Sequence, residues 1–381
     1  MTKHHSSDDA SRAAASPTIP TRKDDGARVL ILGLGDVGRR FAFGLAGRPE
    51  IRELVLASRN EADGRLLAAL VAACGDGLVR FVRADAERPA ELEALLRRER
   101  PDLVLHCASS LSPWLVPGRT DARAAALLAA GFATQLPAQL PLLTNLMRAV
   151  RETGLEAPVV GASFPDLTHP ILARLGLAPT VGIGNAGMVR ARVAAVLRAA
   201  GREAEIPHLR VLAHHSQLIP VVRAEKPAGD APSPRVYLGP EGRREDALAF
   251  AGPPLPSRRQ LNALPVASGL PAVLALLDPE RRLRTSLPGP AGMPGGYPVL
   301  VASGRVTLDL PPGLELDEAL DFQRRSARSD GVERIDDDGT VHFTAAARAA
   351  LEPFDPRLTE PLEPARTPER LALLRAYLEL R

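Results

Sequence analysis

Apolar positions follow two alternating spacings through the first half of this chain. Short runs, Val29 to Leu32, Leu54 to Leu56, Val79 to Val82 and Leu103 to His106, read as buried strands. The stretches between them, Gly38 to Leu45, Arg65 to Ala73 and Ala90 to Arg98, carry apolar residues at helical spacing. A polar, Pro-rich loop from Ala108 to Thr120 interrupts the pattern. Two helical runs follow, Ala122 to Ala130 and Leu140 to Glu152, and then two strands, Pro158 to Ala162 and Thr180 to Ile183. Strand and helix in alternation predict an α/β fold: a Rossmann-type doubly wound parallel sheet of six strands, complete near residue 185.

Beyond that point the alternation stops. Met188 to Ala200 reads as a long helix, His208 to His214 as a strand, and Arg223 to Arg259 as a Pro- and charge-rich excursion suited to a lid or a subunit contact. Helices at Val266 to Leu277 and Leu316 to Ala327, strands within Val299 to Leu308, and a tail ending in an amphipathic helix predict an α+β second domain. The expected division is a disordered leader (1–26), a nucleotide-binding domain (27–185) and a substrate-binding and dimerisation domain (186–381). The leader is Ser, Thr, Ala, Asp and Pro without apolar period.

Composition narrows the classes of function. At 381 residues with 45% hydrophobic content, the chain is long enough for two cored domains. No apolar run approaches a membrane span by this reading, and the polar start lacks the apolar centre of a signal peptide, so a cytoplasmic location without membrane contact is expected. Cys74 and Cys107 are too few for a disulfide framework and wrongly spaced for a metal knuckle. The net charge is only +3, and the bases are almost all Arg spread along the chain, with Lys only at positions 3, 23 and 226. No basic patch emerges, and no nucleic-acid partner is expected.

The chemistry begins at Gly33-Leu34-Gly35-Asp36-Val37-Gly38, between the first strand and the first helix. In a dinucleotide-binding turn Gly33 permits the tight turn, Gly35 lets the backbone approach a pyrophosphate, and Gly38 allows close helix packing. At the end of the second strand, where an acid would hold a ribose 2′-hydroxyl, the chain has Ala57-Ser58-Arg59-Asn60. A hydroxyl and a fixed cation there suit a 2′-phosphate, so NADP(H) is expected, although Arg59 also fits a solvated loop.

Arg83-Ala84-Asp85-Ala86 and His106-Cys107-Ala108-Ser109 continue the pattern, and this part resembles the nucleotide domain of the saccharopine-dehydrogenase-like oxidoreductases. The resemblance implies that Asp85 touches adenine and that Ala108 to Ser110 flank the ribose and nicotinamide. Asp85 equally fits a turn residue. Residues 156 to 220 are similar to another branch, the lactate and malate dehydrogenases, with four pieces in order: Pro117-Gly118-Arg119-Thr120 at the substrate-loop position, Ser163-Phe164-Pro165-Asp166-Leu167-Thr168, Gly182-Ile183-Gly184-Asn185 with Arg190 and Arg192 following, and Ala213-His214-His215-Ser216. That family pairs a proton-carrying His with an Asp and uses an Arg to grip a carboxylate. Carried over, His215 is the general acid/base, Arg190 the anion grip, and Asn185 a hydrogen-bond donor to nicotinamide or substrate, or a helix cap. A homodimer and a small-molecule substrate are implied.

Two departures qualify that resemblance. The family's Asp position holds Met188 or Val189, so another acid must serve or the substrate is not a plain 2-keto acid. On a strand, His214 and His215 would point to opposite faces, so only one can enter the cleft. The expected function is an NADP(H)-dependent oxidoreductase acting on a carbonyl carbon. The alternatives are an imine reductase or amine dehydrogenase, and a non-catalytic NADP(H)-binding sensor. Tyr297, in the Gly/Pro-rich stretch Pro288 to Pro298, and Trp114, in the Ser110 to Gly118 loop, are further candidates to face the substrate.

Overall fold

Successive residues of the first strand belong to different cores. Leu30 and Leu32 join Val55, Ala57 and Val104 on one face, while Val29 and Ile31 join Leu54, Leu56, Leu103 and Leu105 on the other. That alternation is the two-residue period of a strand covered on both sides, which is why each run is apolar throughout.

The computed structural model describes residues 26–227, 229 and 231–380; the expected leader, apart from Gly26, lies outside them. The first half of the chain runs β1 (Ala27–Leu32), α1 (Asp36–Leu45), β2 (Ile51–Ser58), α2 (Glu61–Ala72), β3 (Leu78–Arg83), α3 (Pro89–Glu99), β4 (Leu103–His106), α4 (Ala122–Ala130), α5 (Leu136–Thr153), β5 (Val159–Gly161), α6 (Pro165–Arg174) and β6 (Val181–Gly182). The parallel sheet has the order β3-β2-β1-β4-β5-β6, so the strand order reverses between β1 and β4. In such sheets ligands bind outside the carboxyl ends at that reversal. The expected α/β Rossmann class is the one observed.

The rest runs α7 (Asn185–Ala199), β7 (Arg210–Leu212), α8 (Leu218–Arg223), β8 (Arg235–Leu238), β9 (Arg243–Arg244), α9 (Ala263–Leu277), β10 (Arg282–Pro288), β11 (Gly296–Ala302), β12 (Arg305–Leu308), α10 (Leu316–Ser329), β13 (Val332–Ile335), β14 (Val341–Phe343), α11 (Ala345–Leu351) and α12 (Thr367–Tyr377). Antiparallel sheets β10-β11-β12 and β7-β8-β9 and the hairpin β13-β14 complete it.

Four expectations change here. The excursion Arg223 to Arg259 contributes β8 and β9 to a sheet with β7, since Val236 and Leu238 are buried in the core under α7. Residue 185 does not divide the core, because α11 and α12 return to pack on α4 and α5, placing Leu351, Leu374 and Tyr377 with Leu127 and Leu143. The segment Arg259–Leu277, with mean hydropathy 1.5, is long and apolar enough to cross a membrane; in the structure α9 packs against α1, α7 and β10. Tyr297 is not in a loose turn: it lies in β11, fully buried.

Candidate active site

Three glycines shape the mouth of a cleft at the reversal between β1 and β4. Gly33 has a φ of +97°, and a Cβ there would run into the backbone of Ala108 after β4. A Cβ on Gly38 would overlap the carbonyl oxygen of Gly33, so the first turn of α1 is pressed onto β1. Gly35 differs: a Cβ there would meet nothing within 4 Å. Open space over the middle glycine, with crowding at the other two, is the form a pyrophosphate requires when it approaches backbone N–H groups at a helix N-terminus. The residues present therefore fit a dinucleotide.

Gly33, Gly35, Ser58, Arg59, Asp85, Ala108 and Ser109 all line this cleft. Gly38 stands behind it as packing. Asp36 and Val37 do not line it. The Asp36 carboxylate turns away to accept from Arg40 and from Asn262, 3.0 Å each, and the Val37 side chain packs on the core beneath α1. Burial opposes the charge on Asp36, but those two hydrogen bonds and the nearby cations hold its carboxyl below the usual range. Asn262 also accepts from the indole N–H of Trp114 at 2.9 Å. Trp114 thereby ties the 108–120 loop, through the residue before α9, to the start of α1.

At the end of β2 no carboxylate faces the cleft from Ser58 or Arg59. Arg59 is exposed and reaches Glu87 at 3.4 Å, a surface pair that binds it weakly. Arg39 and Asp63, which the sequence reading missed, line the same wall; Asp63 accepts from Asn60 at 2.7 Å and lies 3.9 Å from Arg39. Asp85 lines the cleft and also closes its own turn, accepting from the Glu87 N–H at 3.0 Å. The Cys107 thiol lines it too, and burial pushes its pKa up to about 12, so it stays protonated.

The second cluster forms where α6, α7, α10 and the turn after β7 meet. The strand ends at Leu212, and His215 opens a tight turn, so His214 and His215 do not diverge as they would on a strand. Both rings reach one carboxylate. The Nδ1 of His215 lies 2.9 and 3.0 Å from the two oxygens of Asp330, and the Nδ1 of His214 lies 3.3 Å from the same residue. Asp330 follows the last residue of α10, and its side chain is 6% exposed. It gives the imidazole a carboxylate partner that the helix after β6 does not supply; Met188 and Val189, at the expected place, are core residues.

Burial works against a charged His215, but the Asp330 carboxylate outweighs it, with Asp166 contributing from further away, and the imidazole pKa is raised. Burial likewise works against the Asp330 charge, and the two imidazoles hold its carboxyl well below the ordinary range. His214 is fully buried, whereas the His215 side chain keeps 24% exposure. The Nε2 of His215 is bonded to no protein atom among the described residues, which leaves that nitrogen for a ligand.

Asp166, fully buried at the start of α6, holds the backbone beneath the ring. One of its oxygens accepts from the His215 N–H at 2.9 Å and the other from the Asn185 side chain. Asn185 is neither a cap nor open to the cleft; it is the first residue of α7 and joins that helix to Asp166. Phe164, in the left-handed region at φ 49°, precedes α6 and sets its ring 4.7 Å from His215, and Phe132 flanks the imidazole at the same distance. A non-glycine residue held there stores about 1–3 kcal/mol of strain. Ser163 beside it donates to Ala108 O at 2.6 Å, which links Phe164's end of the cluster to the cleft; His215 itself is not among the residues that line it.

Arg190 requires a correction. Its guanidinium donates to the carbonyls of Leu209 and Ile206 at 3.3 and 3.2 Å, and burial lowers its pKa to about 10. Arg192 likewise donates to Gly252 and Pro253 at 2.8 and 2.7 Å. Both brace segments packed on α7, and neither lines the cleft. His106 and His169 are buried and neutral, burial lowering them to about 3 and about 4, so neither competes with His215 as a proton carrier.

Comparison with protein-family models gave no match, and comparison with curated proteins gave none. Among solved structures, this chain is similar to MGS-M5, a lactate dehydrogenase enzyme from a Medee basin deep-sea metagenome library, at 12% identity and TM-score 0.48, over 80% of this chain and 97% of that one. It is also similar to the minor L-lactate dehydrogenase of Enterococcus mundtii, at 17% identity and TM-score 0.45, over 80% and 96% of the two chains.

Proposed function

We propose that this protein is an NADP(H)-dependent oxidoreductase that interconverts a small carbonyl compound and its alcohol. The observation that carries the proposal is the His215 dyad: an imidazole with Nδ1 held by a buried carboxylate and Nε2 open, linked through Phe164 and Ser163 to a cleft whose glycine turn fits a dinucleotide. Gly33, Gly35 and the start of α1 would hold the pyrophosphate, Ser58 and Arg59 a 2′-phosphate, and Ala108 and Ser109 the nicotinamide end. When bound, the nicotinamide supplies or accepts a hydride.

The chain's own residues manage the proton. In the reducing direction, protonated His215 gives its Nε2 proton to the oxygen of the carbonyl carbon being reduced, and Asp330 stays ionised and keeps the proton on Nδ1. In the oxidising direction, neutral His215 takes the hydroxyl proton. Asp166 and Asn185 fix the backbone under the ring, while Phe132 and Phe164 flank the imidazole and limit water around it. Asp330 beside His215 removes one reason for the imine alternative, the missing carboxylate on α7, and supports the carbonyl reading.

Titration of nicotinamide fluorescence tests the cofactor, and loss of NADPH absorbance across aldehydes, ketones and 2-keto acids tests the reaction. His215→Ala is expected to lower turnover about 10²- to 10⁴-fold while leaving NADPH binding intact. Unchanged turnover in that variant would remove His215 from the mechanism. Tight NADPH binding with no oxidation by any carbonyl, or by carbonyl plus amine, would leave the sensor.

A further inference from the structure

We propose that an arginine-lined pocket between β8 and α10 is a second ligand site, one that binds a small phosphate-bearing anion. Arg235, Arg244, Arg325 and Arg328 converge on a space of about 620 Å³, joined by Ser233 and Ser329, and no carboxylate among the described residues lines it. Three of the guanidiniums have acidic partners, Glu318 for Arg235 at 2.5 Å, Asp246 for Arg244 at 2.7 Å, and Glu333 for Arg328. Those carboxylates are not among the lining residues, and each guanidinium has five N–H donors, more than its carboxylate takes up. Arg325 is exposed, with no carboxylate partner among the described residues.

The framework is built before any ligand arrives. Arg235 is buried, with its guanidinium 4.9 Å from the centroid of the buried Phe322 ring. Ser326, on the inner face of α10, donates to Phe322 O at 2.9 Å and accepts from Gln217 at 3.1 Å, and Gln217 in turn donates to Pro232 O at 3.0 Å. A fixed pocket lowers the ordering cost of binding. Arg325, the donors left over on the three ion-paired guanidiniums and two hydroxyls exceed what one carboxylate can accept, and they suit the several oxygens of a phosphoryl group. The charge is confined to a pocket rather than drawn out as a stripe, which suits a free phosphate ester or diphosphate. No residue lines both this pocket and the glycine cleft, so the site does not depend on the oxidoreductase reading.

The test is isothermal titration of the full chain with inorganic pyrophosphate at ionic strength held constant with sodium chloride. One saturable site is expected, weakened about 10- to 100-fold by Arg325→Glu, the worth of a charge-assisted hydrogen bond. Arg244→Gln is expected to weaken it in the same direction, and Gly35→Val, which fills the glycine cleft, to leave it unchanged. Arg325 is exposed and outside any ion pair among the described residues, so the variant is expected to melt like the parent; Arg325→Ala serves if the Glu variant does not fold. Absence of saturable binding overturns the proposal, as does equal affinity in the Arg325 and Arg244 variants. Loss in Gly35→Val with retention in Arg325→Glu assigns the pyrophosphate to the glycine cleft and overturns it too.

Discussion

Replacing Asp330 by Asn removes the charge that holds His215 and keeps the shape of the side chain. The ring nitrogen sits 2.9 and 3.0 Å from the two carboxylate oxygens, inside a site that excludes most water. An opposite charge at that range displaces a pKa by about 1 to 3 units, each worth about 1.4 kcal/mol. In the variant, burial then acts on His215 with only the more distant Asp166 against it, so its pKa is expected to fall below that of the parent. Carbonyl reduction needs the imidazolium, so the falling limb of kcat/KM against pH moves down by the same amount, and at pH above both values the rate falls about 10- to 1,000-fold. Stability follows the same sign. The raised pKa of His215 contributes stability that is complete below the ordinary imidazole value near 6.5 and lost as pH rises through the raised value; the depressed carboxyl of Asp330 contributes above the ordinary carboxylate value near 4 and is lost in acid. The pair therefore stabilises most between about pH 4 and 6.5, where the Asn variant is expected to lose the most stability. The pH profile of NADPH oxidation checks the first claim, urea melts at several pH values the second, and NMR titration of the His215 ring checks the shift without turnover. A kinetic limb and an NMR titration midpoint both unmoved in the Asn variant would refute the dyad.

The glycine turn separates binding from folding: Gly35→Val is expected to fold normally and to lose NADPH binding by fluorescence titration, whereas Gly38→Ala, forced against the Gly33 carbonyl, is expected to lose about 1–3 kcal/mol or more in a denaturant melt. Arg59→Ala is expected to weaken NADPH about 10- to 100-fold and to leave NADH unaltered; equal effects on both would end the 2′-phosphate assignment. Arg190→Met is expected to cost about 1–3 kcal/mol of stability, because two backbone carbonyls lose their donor, with kcat of the folded enzyme unchanged. A selective fall in kcat at full stability would return Arg190 to the site.

What the sequence displayed was whatever short-range physics encodes. A buried strand, a glycine turn and the residues at the next strand end lie within one βαβ unit, and Ala122–Ala130 appears as a helix with the bounds its apolar spacing predicts. Proline concealed α6, because Pro165 and Pro170 read as breakers, although Pro165 takes the first helical position where a missing N–H costs nothing. Glycine concealed the start of β11 and the burial of Tyr297, since Gly289, Gly292 and Gly295 suggest a loose turn while each is pressed against a neighbouring side chain at positive φ. The deeper loss was Asp330. It lies 115 residues from His215 along the chain, after the last turn of a helix whose amphipathic pattern gives no sign of what its end will meet. A search for the partner acid on the helix after β6 could not reach it. Once α10 is docked, the site divides its work between two carboxylates: Asp166 grips the backbone N–H of His215 together with Asn185, and Asp330 grips the ring. Loss of the ring's partner therefore moves the proton equilibrium first. Loss of the backbone's partner displaces the ring itself, so Asp166→Asn is expected to lower kcat with a smaller shift of the pH limb than Asp330→Asn.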